Sequence, residues 1–136
     1  MSSLKASFEL NGTMTGQSDP VAIKISDFGF DVDNPSVTSG SKSITTGNKV
    51  IIPCAQGAGV DYYFYIRNTG QTGSMAGTGT LVIRDDHPSA ARDLTLLEAG
   101  DFAFFVVTGH ASDGGIDVVH GSGNPTNYVY AYFKRI

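Results

Sequence analysis

The residues able to do chemistry in this chain are few: three histidines (His87, His110 and His120), one cysteine (Cys54) and some paired carboxylates. A zinc site needs ligands two to five residues apart in pairs. The histidines are far apart in sequence, and two of them flank glycine loops, so ordinary loop histidines are the expectation. Asp31-Val32-Asp33-Asn34 opens like a calcium loop. An EF-hand would then require Gly at position six and Glu at position twelve. Ser36 and Lys42 stand there, and a lysine in place of the bidentate carboxylate excludes the motif. Asx-turn geometry before Pro35 is the simpler reading.

Asp85-Asp86-His87 places carboxylates beside an imidazole. Hydrolysis by a covalent route needs a nucleophile held against such a base. No Gly-x-Ser-x-Gly elbow surrounds any serine, and Cys54, after Val50-Ile51-Ile52-Pro53, reads as a small core residue. The glycine segments 70–79 and 109–115 lack the Gly-Lys-Ser/Thr ending of a phosphate loop. The reading is therefore no catalytic residue, no cofactor and no metal. The remaining candidates are the tyrosines. Tyr63 and Tyr65 share one face of a strand; Tyr128, Tyr130 and Tyr132 share one face of another. Such stripes form cross-strand ladders, protein interfaces or stacking platforms for a ligand.

The elements that would position these residues are strands. Seventeen glycines punctuate short runs rich in Val, Ile, Phe, Tyr and Thr. Leu4, Ala6, Phe8 and Leu10 alternate with polar residues, and Asn11-Gly12 then signals a hairpin. Val21, Ile23 and Ile25 alternate likewise. Phe28 and Phe30 continue one register on, which predicts a bulge at Ser26–Asp27. Residues 36–46 read as a polar edge strand or ordered loop. Ser89 to Arg92 has room for one helical turn, and no window shows a longer 3.6-residue period. Phe102 to Val107 is apolar throughout, so burial of both faces is expected.

Roughly nine strands result. The expected fold is all-β: a single antiparallel β-sandwich domain over residues 1–136, with a jelly roll among the arrangements open to it. Residues 1–30 form an N-terminal extension, an arm or hairpin. The expected core is Phe8, Ile23, Ile25, Phe28, Ile52, Phe64, Ile66, Leu81, Ile83, Leu96, Phe102, Phe104, Val118 and Phe133.

Bulk composition narrows the function classes. Charged residues are only 16% of the chain and the net charge is −4. That argues against nucleic-acid binding, which needs a basic face. No apolar stretch approaches a membrane span, and the N-terminal residues lack the apolar core of a signal peptide. Folding in a reducing cytoplasm is expected.

Several segments in order carry a resemblance: Tyr62–Gly70 (YYFYIRNTG), Leu81–Arg84 (LVIR), Leu96–Val106 (LLEAGDFAFFV), Ile116–Val119 (IDVV) and Tyr128–Phe133 (YVYAYF). Over residues 44–136 the chain resembles small virion structural proteins of tailed bacteriophages. The resemblance implies a non-enzymatic β-sandwich subunit located in the virion. It also implies other virion proteins as partners, the major capsid protein first, and a homo-oligomer. Capsid decoration is the first expectation and a neck, tail or fibre component the second. From a different class, a carbohydrate-binding module would use the tyrosine faces.

Overall fold

The structure is a computed structural model that describes residues 2–12, 21–53, 58–85, 91–109 and 115–135. Eleven strands occur among the described residues: β1 (Ser2–Gly12), β2 (Val21–Ile44), β3 (Lys49–Ile52), β4 (Asp61–Asn68), β5 (Gln71–Thr72), β6 (Met75–Ala76), β7 (Leu81–Asp85), β8 (Arg92–Leu97), β9 (Phe102–Thr108), β10 (Ile116–His120) and β11 (Thr126–Arg135). No helix occurs among the described residues.

One sheet runs β1-β2-β11-β4-β9 and a second β3-β10-β7-β8, with a two-stranded β5-β6 hairpin beside them. All pairings are antiparallel. The long-range pairs are nested: β2 with β11, β3 with β10, β4 with β9, β7 with β8. Nesting of this kind is a long two-stranded ribbon wrapped around itself. The result is a jelly roll of two Greek keys.

The two sheets bury one row of side chains each. Ile44, Phe64, Ile66 and Tyr128 come from the first sheet; Ile52, Leu81, Ile83, Leu97, Ile116 and Val118 come from the second. Burying a large apolar side chain contributes about 1.5–3 kcal/mol, so this cluster is the main stabilising feature.

Several core expectations are corrected here. Leu96 is exposed and Leu97 is buried in its place. The cause is an irregularity in the β7–β8 ladder: Ile83 faces Thr95 but Arg84 faces Asp93, leaving Leu94 as the extra residue. Leu97, opposite Leu81, therefore points inward. Phe102 and Phe104 are exposed, because β9 turns Ala103, Phe105 and Val107 inward. Phe133 is half-buried on the outer row of β11. Phe8 and Ile23 are exposed on the ribbon described next. The side chains of Ile25 and Phe28 lie outside those described.

β1 pairs only with residues 21–32 of β2, while β11 pairs with Val32 and with residues 37–44. One long strand thus serves two structures: an N-terminal two-stranded ribbon and the sandwich. Between them the β11 register skips from Val37 to Val32, and Pro35 sits in that irregularity, where no ladder N–H is required of it. Residues 33–44 have no strand on their other side among the described residues, in keeping with the polar edge read from their Ser and Thr content. The bulge at Ser26–Asp27 is present: Ala6 faces Phe28 and Phe8 faces Ile25. Asn11 and Gly12 remain in the ladder, opposite Ala22 and Val21. Residues 13–20, which follow them, lie outside the described residues.

Candidate functional site

The tyrosine stripes fall on opposite faces of the same sheet. In register, Tyr65 stands between Ala131 and Phe104, and Tyr63 between Phe133 and Val106. These residues form the outer face. Tyr63 is nearly buried there, stacked on Phe104 with ring centroids 5.9 Å apart. Tyr65, half-buried, tilts against Phe102 at 6.3 Å. The Arg135 guanidinium lies 5.9 Å from the Tyr63 ring centre, within cation–π range. Tyr63 and Tyr65 are thus the inner members of a cross-strand ladder. Its open members are the phenylalanines, with Phe102 56% exposed.

Tyr128, Tyr130 and Tyr132 face the interior. Tyr128 is fully buried, and its ring presents nothing to a partner. Tyr130 and Tyr132 are half-buried against the core cluster. Tyr132 meets Tyr62 edge-on at 6.0 Å, and Lys42 sits 5.7 Å from the Tyr130 ring. Burial, with Tyr130 beside it, pushes the Tyr128 hydroxyl up to about 12, because ionising it would strand a charge away from water.

Several buried polar side chains bond to the backbone of neighbouring connections. Asn68 is buried at the end of β4. Its amide donates to the carbonyls of Gly79 (2.8 Å) and Leu97 (3.2 Å), and its Oδ1 accepts from the Gly70 N–H (3.0 Å). Thr69 and Thr72 donate to the carbonyls of Asn127 and Pro125, and Asn127 donates to the Gly73 carbonyl. Glycine segment 70–79 is thereby stitched to the β10–β11 connection; it folds into the β5–β6 hairpin rather than a phosphate cradle. His120 is buried, with Nε2 2.9 Å from the Asn124 carbonyl. Asp117 is buried on the outer row of β10 and pairs with Lys49 at 2.9 Å.

His87, His110, Cys54 and Asp86 lie outside the described residues, as do Ser89 and Ala90 of the single helical turn expected at Ser89–Arg92; Ala91 is not helical. Arg92 itself begins β8. Among the described residues no three His, Cys, Asp or Glu side chains gather as metal ligands. Asp31 and Asp33 lie within β2 rather than in a separate loop.

Two surfaces expose large apolar side chains among the described residues. The first is the N-terminal ribbon. Its ladder sets Leu4, Ala6, Phe8 and Leu10 opposite Phe30, Phe28, Ile25 and Ile23. The bulge keeps apolar position opposite apolar position along the whole length. Phe8 is 46% and Ile23 47% exposed. Lys5, Ser7, Glu9, Ala22 and Lys24, in the alternate row, are exposed as well. The second surface is β9 at the end of the five-stranded sheet. Beside it, between the β8 and β9 edges, opens a cleft of about 520 Å³. Sequence reasoning assigned Phe102 and Phe104 to the core because their run has no polar row to reveal which side faces out.

No protein-family model matches the chain, and no curated protein matches it. A solved structure, the Yersinia pseudotuberculosis-derived mitogen, is similar with a TM-score of 0.41 and 12% identity. The alignment covers 73% of this chain and 86% of that one. A likeness at that level carries no functional argument.

Proposed function

We propose that the chain is a non-enzymatic structural subunit of a tailed-phage virion, docking on the capsid surface and stabilising it. The observation that carries this reading is the N-terminal ribbon. A two-stranded hairpin is marginal in water by itself. Among the described residues its ladder meets that of the sandwich at Val32, and Phe8 and Ile23 are exposed. Exposed apolar side chains such as these are suited to cover by a partner. The sandwich supplies a rigid base, and the sequence resemblance supplies the class of partner. A low charge content favours area-based contact over steering by charge.

The experiment uses purified capsids that lack the protein. Wild-type chain, Phe8→Lys and Ile23→Lys are each incubated with them. Co-sedimentation and the temperature of capsid disruption are then measured. Wild type should co-sediment and raise the disruption temperature. Both variants should lose binding while their own melting curves stay at the wild-type position. Absence of wild-type binding overturns the reading; full binding by both variants overturns the docking role of the ribbon.

A further inference from the structure

We infer that β9 is the edge along which a second copy of this chain pairs, antiparallel and about a two-fold axis. An open sheet edge presents unpaired N–H and C=O groups, and proteins blunt such edges with charge, proline, bulges or short length. Most edges here are blunted. β1 carries Lys5 and Glu9, and the β2 edge at residues 37–44 is Ser-rich with Lys42. β3 has four residues including Lys49 and is followed by Pro53. β8 carries Arg92, Asp93 and the irregularity at Leu94. By contrast, β9 runs Phe-Ala-Phe-Phe-Val-Val-Thr in unbroken register with β4. It holds no charge, proline or glycine.

A second, independent observation is the cleft beside that edge. It is lined by Asp85 at the end of β7, by Leu94 and Thr95 on β8, and by Ala103, Phe105, Val106, Val107 and Thr108 on β9. A strand added to β9 would project its inward row into this space. The same strand's outward row would extend the Tyr63–Phe104 and Tyr65–Phe102 ladder.

A second copy of β9 meets both requirements. Antiparallel two-fold pairing keeps each row on its own face. Ala103, Phe105 and Val107 of the second copy would enter the cleft. Phe102, Phe104 and Val106 would continue the outer aromatic row. A two-fold contact also sets a segment against itself, so a charged strand would meet like charge; β9 carries none. The contact is isologous and closes at two chains. It supplies a self-contact for the assembly reading above, through a surface separate from the ribbon.

The test is the solution mass by light scattering over a wide concentration range, for wild type, Val106→Lys and Val106→Glu. Val106 is exposed on the outer row, so both variants should fold, as checked by circular dichroism and melting. Wild type should show the mass of two chains and dissociate on dilution. Each variant should show the mass of one chain, and an equimolar mixture of the two should regain the two-chain mass. A wild type of one-chain mass at every concentration overturns the inference, as does a two-chain mass retained by Val106→Lys. Should the variants fail to fold, amide hydrogen exchange of wild type decides. Slower exchange in β9 at high concentration supports the pairing, and concentration-independent exchange overturns it. A two-chain mass without capsid binding refutes the capsid reading alone; capsid binding by a strictly one-chain protein refutes the β9 contact alone.

Discussion

Tyr63 and Phe104 lie with their ring planes 2° apart and centroids 5.9 Å apart, across the β4–β9 ladder. Aromatic pairs of this kind contribute about 0.5–1.5 kcal/mol beyond the area they bury. Their role in the isolated chain is to hold an edge strand to its neighbour. Phe104→Ala should therefore destabilise the domain by roughly 1–2 kcal/mol in urea denaturation, since only part of the ring is buried. The same ladder bears on the carbohydrate alternative. Tyr65 is half-covered and tilted against Phe102. Tyr65→Ala should lower stability without changing any glycan-array signal; a glycan signal that disappears with it would reinstate a sugar platform.

Asn68 ties three connections together through one side chain. Removing it takes a hydrogen-bond partner from two carbonyls in a buried site and from the part-buried Gly70 N–H, and a group left unsatisfied there costs about 1–3 kcal/mol. Asn68→Ala should cost roughly 3 kcal/mol overall, measured by denaturation, with some relief from entering water. Asn68→Asp keeps the acceptor but aims a carboxylate at two carbonyls. It should be at least as damaging at neutral pH and partly recover in acid, where the protonated group again donates.

Strands were legible wherever one row was polar or a turn signal was strong. The alternation in β7 identifies Leu81 and Ile83 as inward residues, and the phase change between Ile25 and Phe28 locates the bulge. Orientation was illegible where both rows are apolar. In β11 the tyrosines alternate with Val129, Ala131 and Phe133. Nothing local says that Tyr128 faces in, because that choice is made by Ile66 and Ile44 on the neighbouring strands. The same holds for β9. In β8 a regular alternation pointed to Leu96, and the extra residue at Leu94 reversed it. Ile44, alone at the end of a polar run, is a core residue only because β11 places it opposite Thr126. The nested strand order depends on pairs distant in sequence, which no local period encodes.

Gly115 has φ 124°, a conformation that side chains of L-residues resist. A Cβ there would run into the backbone carbonyl of Ile52 on β3. Gly115→Ala should therefore cost roughly 2–4 kcal/mol, by strain and by displacing the start of β10. Gly47 is the control. Its φ is 77°, and nothing lies within 4 Å of the added methyl. Gly47→Ala should cost about 1 kcal/mol, from backbone strain alone. Equal losses at the two sites would show that the Ile52 contact contributes nothing.

The hydroxyl of Tyr128 is buried with no hydrogen-bond partner among the described residues, and burial raises its folded pKa from 10.0 to about 12. Linkage fixes the sign of the effect. As pH rises through 10, Tyr128 in the unfolded chain gives up its proton while the folded chain keeps it. The unfolded state then binds fewer protons, so stability falls between pH 10 and 12. A shift of this size corresponds to about 2–3 kcal/mol across the window. Tyr128→Phe removes both the titration and an unsatisfied buried hydroxyl. It should leave stability at pH 7 unchanged or raise it by about 1 kcal/mol. It should also flatten the alkaline decline in urea midpoints. A variant that declines as steeply as wild type overturns the assignment of the alkaline sensitivity to Tyr128.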